Sequence, residues 1–152
     1  MQRLTWRQRR WLLPLAVFLT SGGCGGDLAG PADYSLIPQD GETFFLVSPI
    51  KPNAVMDALF QGEIAEDSSG CIRLQPPSGA TVVWPKGFSL DVTSAGARVL
   101  DEDGMEVGVI GSTFRFGGGE VPLLHEGLGF PPTKAAQIQS RCPGRFWIVG
   151  EV

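Results

Sequence analysis

The chain has 152 residues and is acidic, with 12 lysines and arginines against 16 aspartates and glutamates and a formal charge of −4 at pH 7. Its 21 glycines and 12 prolines argue against long helices and predict many turns. The length suits one domain with one core. No basic cluster lies beyond the N-terminal segment, and an acidic domain repels phosphate backbones, which argues against nucleic-acid binding.

The N-terminal segment has the charge order of a secretory signal. Residues 1–10, MQRLTWRQRR, hold four arginines and no acid, and residues 11–19, WLLPLAVFL, form an apolar run. This run has about half of the roughly 20 residues that a membrane-spanning helix needs, and Pro14 would kink it. We predict that residues 1–23 are a signal peptide. Its removal would leave 8 basic against 16 acidic residues, a formal charge of −8.

A cysteine follows the apolar run directly. The small residues Ser21, Gly22 and Gly23 precede Cys24, and this stretch resembles the lipobox of bacterial lipoproteins, where cleavage precedes a cysteine that receives a diacylglycerol. The lipobox prefers leucine three residues before the cysteine, where this chain has Ser21. Cleavage by the ordinary signal peptidase is the alternative. The resemblance implies lipidation at Cys24, with acyl chains such as palmitate, and an extracytoplasmic location in the bacterial cell envelope, anchored to the membrane.

The cysteine count is odd. Export places the chain in an oxidising compartment, where cysteines tend to pair. If Cys24 is acylated, Cys71 and Cys142 remain as one pair. Their disulfide would close a loop of about 70 residues and contribute about 4 kcal/mol on the chain-entropy model. Two buried free thiols are the alternative if the chain is not exported.

The elements are predicted in chain order. Residues 24–43 form a flexible tether rich in Gly, Pro, Ala and Asp, and residues 44–152 form one domain. Residues 44–50, FFLVSPI, predict a short strand. Residues 52–62, PNAVMDALFQG, predict a short helix whose one face carries Val55, Met56, Leu59 and Phe60.

The remaining pattern predicts short strands. Two arms flank the polar turn at 66–70, ATVVWP forms a strand that ends at Pro85, and a hairpin has Asp103 and Gly104 at its tip. STFRFGGGE alternates until it breaks at three glycines, a helix begins near Pro132, and RFWIVGEV is the last strand. We predict an all-β fold with minor α: a small OB-like β-barrel with one or two short helices and one disulfide. An open sandwich is the alternative.

Several of these motifs occur together. GCIRL at 70–74, VVWP at 82–85, GGGE at 117–120 and CPGRFW at 142–147 resemble the pattern of a group of uncharacterised small bacterial lipoproteins and secreted proteins. The resemblance covers residues 62–152. It implies a disulfide between Cys71 and Cys142 and no known activity.

The motifs that could carry chemistry fit plainer roles better. FRFGGGEVP lacks the helix, lysine and hydroxyl residue of a phosphate loop, and Glu120 would repel an anion. DEDGMEVG lacks the ligand spacing of a helical calcium loop and fits a solvated hairpin tip. His125 is the only histidine, and the sequence shows no nucleophile pattern to accompany it. We therefore predict no cofactor, no metal and no catalytic residue.

The aromatic residues offer candidates for ligand contact. We single out Trp84 and Trp147, and since Phe146 and Trp147 point to opposite faces of one strand, we expect at most one of them to be central to the core. The predicted function is a membrane-tethered, non-catalytic binding or interaction module whose partner is an envelope protein or a small molecule.

Two alternatives remain open. A small extracytoplasmic enzyme would use His125 and nearby acids, and would hold this histidine in a concave pocket beside a titrating carboxylate. A structural envelope protein would show neither such a pocket nor the exposed apolar patch of a binding module.

Overall fold

The computed structural model describes residues 43–51, 56–76 and 78–150. The predicted signal peptide, Cys24 and nearly all of the predicted tether lie outside these ranges. The described elements are β1 (Leu46–Val47), β2 (Ala58–Glu66), β3 (Ile72–Leu74), β4 (Thr81–Trp84), β5 (Ser89–Thr93), β6 (Gly96–Leu100), β7 (Glu106–Val109), β8 (Thr113–Val121), a 3₁₀ turn (Glu126–Leu128), α1 (Pro132–Arg141) and β9 (Phe146–Val149).

Five of these strands close into a barrel. The ring runs β2, β3, β4, β9, β8 and back to β2, with parallel pairing only between β4 and β9 within this ring. β1 pairs in parallel with β4 as well. Closure gives every ring strand a hydrogen-bonded neighbour on both sides and so removes sheet edges. The predicted small OB-like barrel with a helix and a disulfide is confirmed.

A second sheet lies between β4 and β8 in the sequence. β5, β6 and β7 form a three-stranded antiparallel sheet, which we call the hairpin sheet. Val99 of β6 is fully buried, and a Cβ atom at Gly108 of β7 would lie 2.7 Å from the ring of Phe114. Because glycine has no side chain, β7 can approach this ring closely. The hairpin sheet therefore packs directly on the apolar interior of the barrel.

The apolar residues form two clusters on opposite faces of β4 and β9. The inner cluster fills the barrel with Ile64, Ile72, Leu74, Ala80, Val82, Trp84, Val99, Phe114, Phe116, Trp147 and Val149. The outer cluster lies beneath α1 and includes Phe44, Val83, Ile138, Phe146, Ile148 and both described cysteines. Strands covered on both faces read as continuous apolar runs, which explains TVVW and FWIV.

The outer cluster contains a disulfide, and an ion pair lies beside it. Cys71 and Cys142 are bonded, with Cα atoms 5.9 Å apart, as the sequence predicts. Beside them the Asp67 carboxylate accepts hydrogen bonds from the Arg73 side chain and from the backbone N–H groups of Cys71 and Ser69. Burial raises the pKa of Asp67, but these donors outweigh it, and the net pKa lies below its usual value.

Three sequence predictions are wrong in detail. The predicted helix at 52–62 is not formed over its described C-terminal part, because Leu59 and Phe60 lie in β2 and pair with β8. β8 does not break at its glycines but continues to Val121, since Gly118 and Gly119 pair with β9. Phe146 and Trp147 are both buried, at 0% and 8% exposure, because β9 has a cluster on each face.

Candidate functional site

An open cleft lies at one end of the barrel, where the hairpin sheet meets it. β1, β4 and β9 run parallel, and the segments that follow their C-terminal ends contribute Lys51, Lys86 and Gly150 to one wall. The turn between β6 and β7 supplies the opposite wall. The cleft has a volume of about 600 Å³ and is lined by Lys51, Pro85, Lys86, Phe88, Asp101, Glu102, Asp103, Glu106, Val107 and Gly150. Loops on a rigid scaffold are a common setting for ligand sites.

The apolar part of the cleft belongs to a stack of aromatic rings. Trp84, fully buried, lies between Phe45 and Phe88, with interplanar angles of 13° and 16° and centroid distances of 5.6 and 6.1 Å. Phe88 uses one face of its ring against Trp84 and is itself only half-buried. The packed Trp84 ring therefore supports an aromatic side chain that lines the cleft.

The two walls carry opposite charges. Lys51 Nζ pairs with the Glu102 carboxylate at 2.9 Å, and both side chains are largely exposed. The hairpin wall also packs on the turn after β4, because a Cβ atom at Gly87 would lie 2.9 Å from Glu102 Cβ. Lys86 makes no ion pair with a described residue. With two lysines against four carboxylates, the cleft has a net charge of −2.

The acidic turn fits the plainer interpretation made from the sequence. Oδ1 of Asp101 accepts hydrogen bonds from the backbone N–H groups of Asp103 and Met105, at 2.9 and 2.8 Å, and so closes the turn. The described ranges contain no group of three or more His, Cys, Asp or Glu side chains placed to hold a metal ion.

Glu106 faces a different partner. It lies 3.6 Å from Arg98, which also pairs with Asp91 across β5 and β6. The hydrogen bond and charge of Asp91, with a smaller contribution from Glu106, raise the pKa of Arg98. Of the acids in the cleft, Asp103 is therefore the one whose carboxylate makes neither a hydrogen bond nor an ion pair with a described residue.

His125 lines a second, smaller groove beside α1. This groove has a volume of about 460 Å³ and is lined by Leu123, Leu124, His125, Glu126, Gly127, Pro132, Ala135, Ala136 and Gln139. Nδ1 of His125 accepts a hydrogen bond from the Gly127 N–H at 3.1 Å and caps the 3₁₀ turn. The described lining of the groove includes no serine, threonine or cysteine, and among the described residues no hydrogen bond joins His125 to Glu126. The groove is concave, as the enzyme alternative requires, but the residues that the structure describes there include no nucleophile.

The candidate residues predicted from the sequence do not lie together in the structure, and none of those described lines the cleft. Trp84 and Trp147 lie in the inner cluster, at 0% and 8% exposure, so neither ring is a surface for ligand contact. Cys71 and Cys142 lie in the outer cluster. In the part of the chain that the structure describes, the exposed large apolar residues are Ile50, Leu59, Val92, Met105 and Leu123, each on a different segment.

The cleft as a unit is not predicted from the sequence. Lys51, Lys86 and Gly150 follow three strands that are distant in the sequence, and only the parallel pairing of those strands brings them together. Phe88 and the acids at 101–106 are visible in the sequence as an aromatic and a charge run. The predicted hairpin is the feature of the sequence that could have placed these residues together, because its acidic tip must lie near some other segment of the same domain.

No protein-family model matches the chain, and neither a curated protein nor a solved structure is significantly similar to it. Within the described residues, no helix is long and apolar enough to span a membrane.

Proposed function

We propose that this chain is an exported binding module, anchored to the membrane of a bacterial cell envelope through Cys24, and that the cleft is its ligand site. The observation that carries the proposal is the cleft itself, an open space of about 600 Å³ between the end of the barrel and the hairpin sheet. The described residues inside the barrel form the buried inner cluster, so the open space of the cleft lies outside the packed interior.

The anchor is supported by features of the sequence and of the fold. The arginine-rich start, the short apolar run and Cys24 have the order of a lipoprotein signal. The paired Cys71 and Cys142 suit an oxidising compartment, and Cys24 is the third cysteine of the sequence, outside that pair. The likeness to small bacterial lipoproteins remains a prediction. A tether would keep the module near its partner and so raise its effective concentration.

The module is proposed to act without catalysis. His125 Nδ1 accepts a hydrogen bond from the Gly127 N–H, and the described residues around this histidine include no nucleophile. The cleft carries carboxylates and lysines but no described histidine, cysteine or serine. Such a set can bind by charge and apolar contact, and it offers no described pair of nucleophile and base.

Site-specific photo-crosslinking in living cells tests the ligand site. A benzophenone amino acid would replace Lys86 in the cleft in one variant and Gln61, an exposed residue on the outer face of β2, in the control. We expect an irradiation-dependent adduct, detected by mass, from position 86 and none from position 61. Equal adducts at both positions, or none at position 86, would contradict the proposal.

A further inference from the structure

The chemistry of the cleft is specific enough to narrow the class of ligand, and this inference rests on the proposed function. We propose that the cleft receives a guanidinium group, the head of an arginine side chain, stacked on Phe88 and paired with the carboxylates of the hairpin wall. Two independent features point to this group: a supported aromatic ring and an excess of negative charge.

The aromatic ring provides the first argument. Phe88 stacks in parallel on Trp84, which is fully buried and is in turn stacked on Phe45. A ring backed in this way keeps its orientation at little entropic cost when a ligand arrives. A guanidinium group is planar, is weakly hydrated and stacks on aromatic faces, whereas an ammonium group is compact and strongly hydrated.

The charges provide the second argument. The Asp103 carboxylate makes neither a hydrogen bond nor an ion pair with a described residue, Glu102 pairs with the exposed Lys51, and Glu106 lies 3.6 Å from the half-buried Arg98. Exposed ion pairs are weak, so an incoming guanidinium can compete for these carboxylates. Guanidinium also matches carboxylates with two parallel hydrogen bonds. The formal charge of −8 after signal removal would attract cations over a longer range.

Lys86 allows the charge of the ligand to be tested. It lies in the cleft without an ion-pair partner among the described residues, so it repels a cationic ligand and attracts an anionic one. A guanidinium ligand therefore predicts that Lys86→Gln tightens binding. An anionic ligand predicts the opposite.

The experiment is a titration of the full-length mature protein in detergent, followed through its backbone amide resonances. The probe is Nα-acetyl-arginine methylamide, and the matched neutral compound is the citrulline analogue, which replaces guanidinium by urea. We expect the arginine probe to shift the amides of Phe88 and of residues 101–107, and the citrulline and lysine analogues to bind at least about threefold more weakly. Free arginine is a further probe, and comparing its affinity with that of the blocked compound distinguishes an amino acid ligand from an arginine within a polypeptide.

Variants make the result decisive. Phe88→Leu should weaken binding of the arginine probe about fivefold, whereas Phe88→Tyr, which keeps the ring, should preserve it. Asp103→Asn should weaken it about threefold, Lys86→Gln should tighten it about twofold, and the control Glu63→Gln on the outer face of β2 should not change it.

Three results would overturn the inference: equal binding of the citrulline analogue, equal binding of the lysine analogue, or no shifts in the cleft. If crosslinking at position 86 succeeds while the arginine probe fails, the ligand class is wrong and the proposed function stands. If crosslinking fails, the proposed function itself is contradicted.

Discussion

The interior of the barrel and the cleft at its end differ in almost every physical property. The interior is closed, apolar and filled by large side chains such as Trp84, Phe114 and Phe116. The cleft is open, carries six charged side chains and is bounded by turns. The same ring stack joins them, because Trp84 belongs to the interior and Phe88 to the cleft. The barrel thus acts as a rigid scaffold, and the inserted hairpin sheet creates the surface available for binding.

This comparison predicts that substitutions in the scaffold change stability, while those in the cleft change binding and leave stability nearly unaltered. The largest effect belongs to the disulfide. Replacing both Cys71 and Cys142 by alanine should lower the free energy of unfolding by about 4 kcal/mol, because the unfolded chain regains the freedom of a long closed loop. Denaturant unfolding measures this difference, and a loss below about 1 kcal/mol would contradict the account.

The next effect concerns the glycines of β8. A Cβ atom at Gly118 would lie 2.6 Å from Nε1 of Trp147, with the Ile148 carbonyl oxygen also in contact, so Gly118→Ala should cost about 3 kcal/mol. Gly150 is the matched control. Its added Cβ would meet only the Gly118 Cα, at 3.8 Å, so Gly150→Ala should change stability by less than about 0.5 kcal/mol. Equal thermal stability of the two variants would refute this packing.

The third effect depends on pH. Asp67→Asn removes a charged acceptor from Arg73 and should lower the free energy of unfolding by about 1.5 kcal/mol at pH 7. Since the pKa of Asp67 is lowered in the folded state, its contribution is present above the ordinary value of 3.8 and is lost as the pH falls below it. The gap between the parent and the variant should therefore shrink in acid. Denaturant unfolding from pH 7 to pH 2 measures this difference, with Glu63→Gln as the control variant. A difference in the free energy of unfolding between the parent and Asp67→Asn that stays constant over this range would contradict the role of Asp67.

The smallest effect belongs to the wall of the cleft. Lys51→Met removes the ion pair with Glu102, whose side chains are 70% and 54% exposed, and should change stability by less than about 0.5 kcal/mol. Thermal unfolding at low and high salt measures it. A loss as large as that of Gly118→Ala would show that the cleft is part of the scaffold and would end the distinction between the two regions.

The sequence predicts the scaffold better than the cleft, and the reason is physical. Alternation of Phe114 and Phe116 with Arg115, the Asp103–Gly104 tip and the helix start at Pro132 are local signals, and all three are confirmed. The helix predicted at 52–62 is wrong because pairing with β8 overrides the helical spacing of Leu59 and Phe60. The hairpin strand β5 was not predicted.

The cleft depends on contacts that no local pattern encodes. Its barrel wall needs the parallel pairing of β1 and β9 with β4, between segments far apart in the sequence. The burial of both Phe146 and Trp147 has a similar origin, because the cover on the second face of β9 comes from α1 and β1. Both features depend on tertiary structure, which residue types alone do not specify.

The proposed export and anchoring are the central claim, because they would explain the disulfide of the scaffold and would bring the cleft to the membrane surface. The most direct test is the intact mass of the protein extracted from bacterial membranes, before and after reduction. The account predicts a chain that begins at Cys24, carries acyl chains and gains two hydrogens on reduction. An unmodified mass, or a chain found only in the soluble fraction, would contradict the anchor.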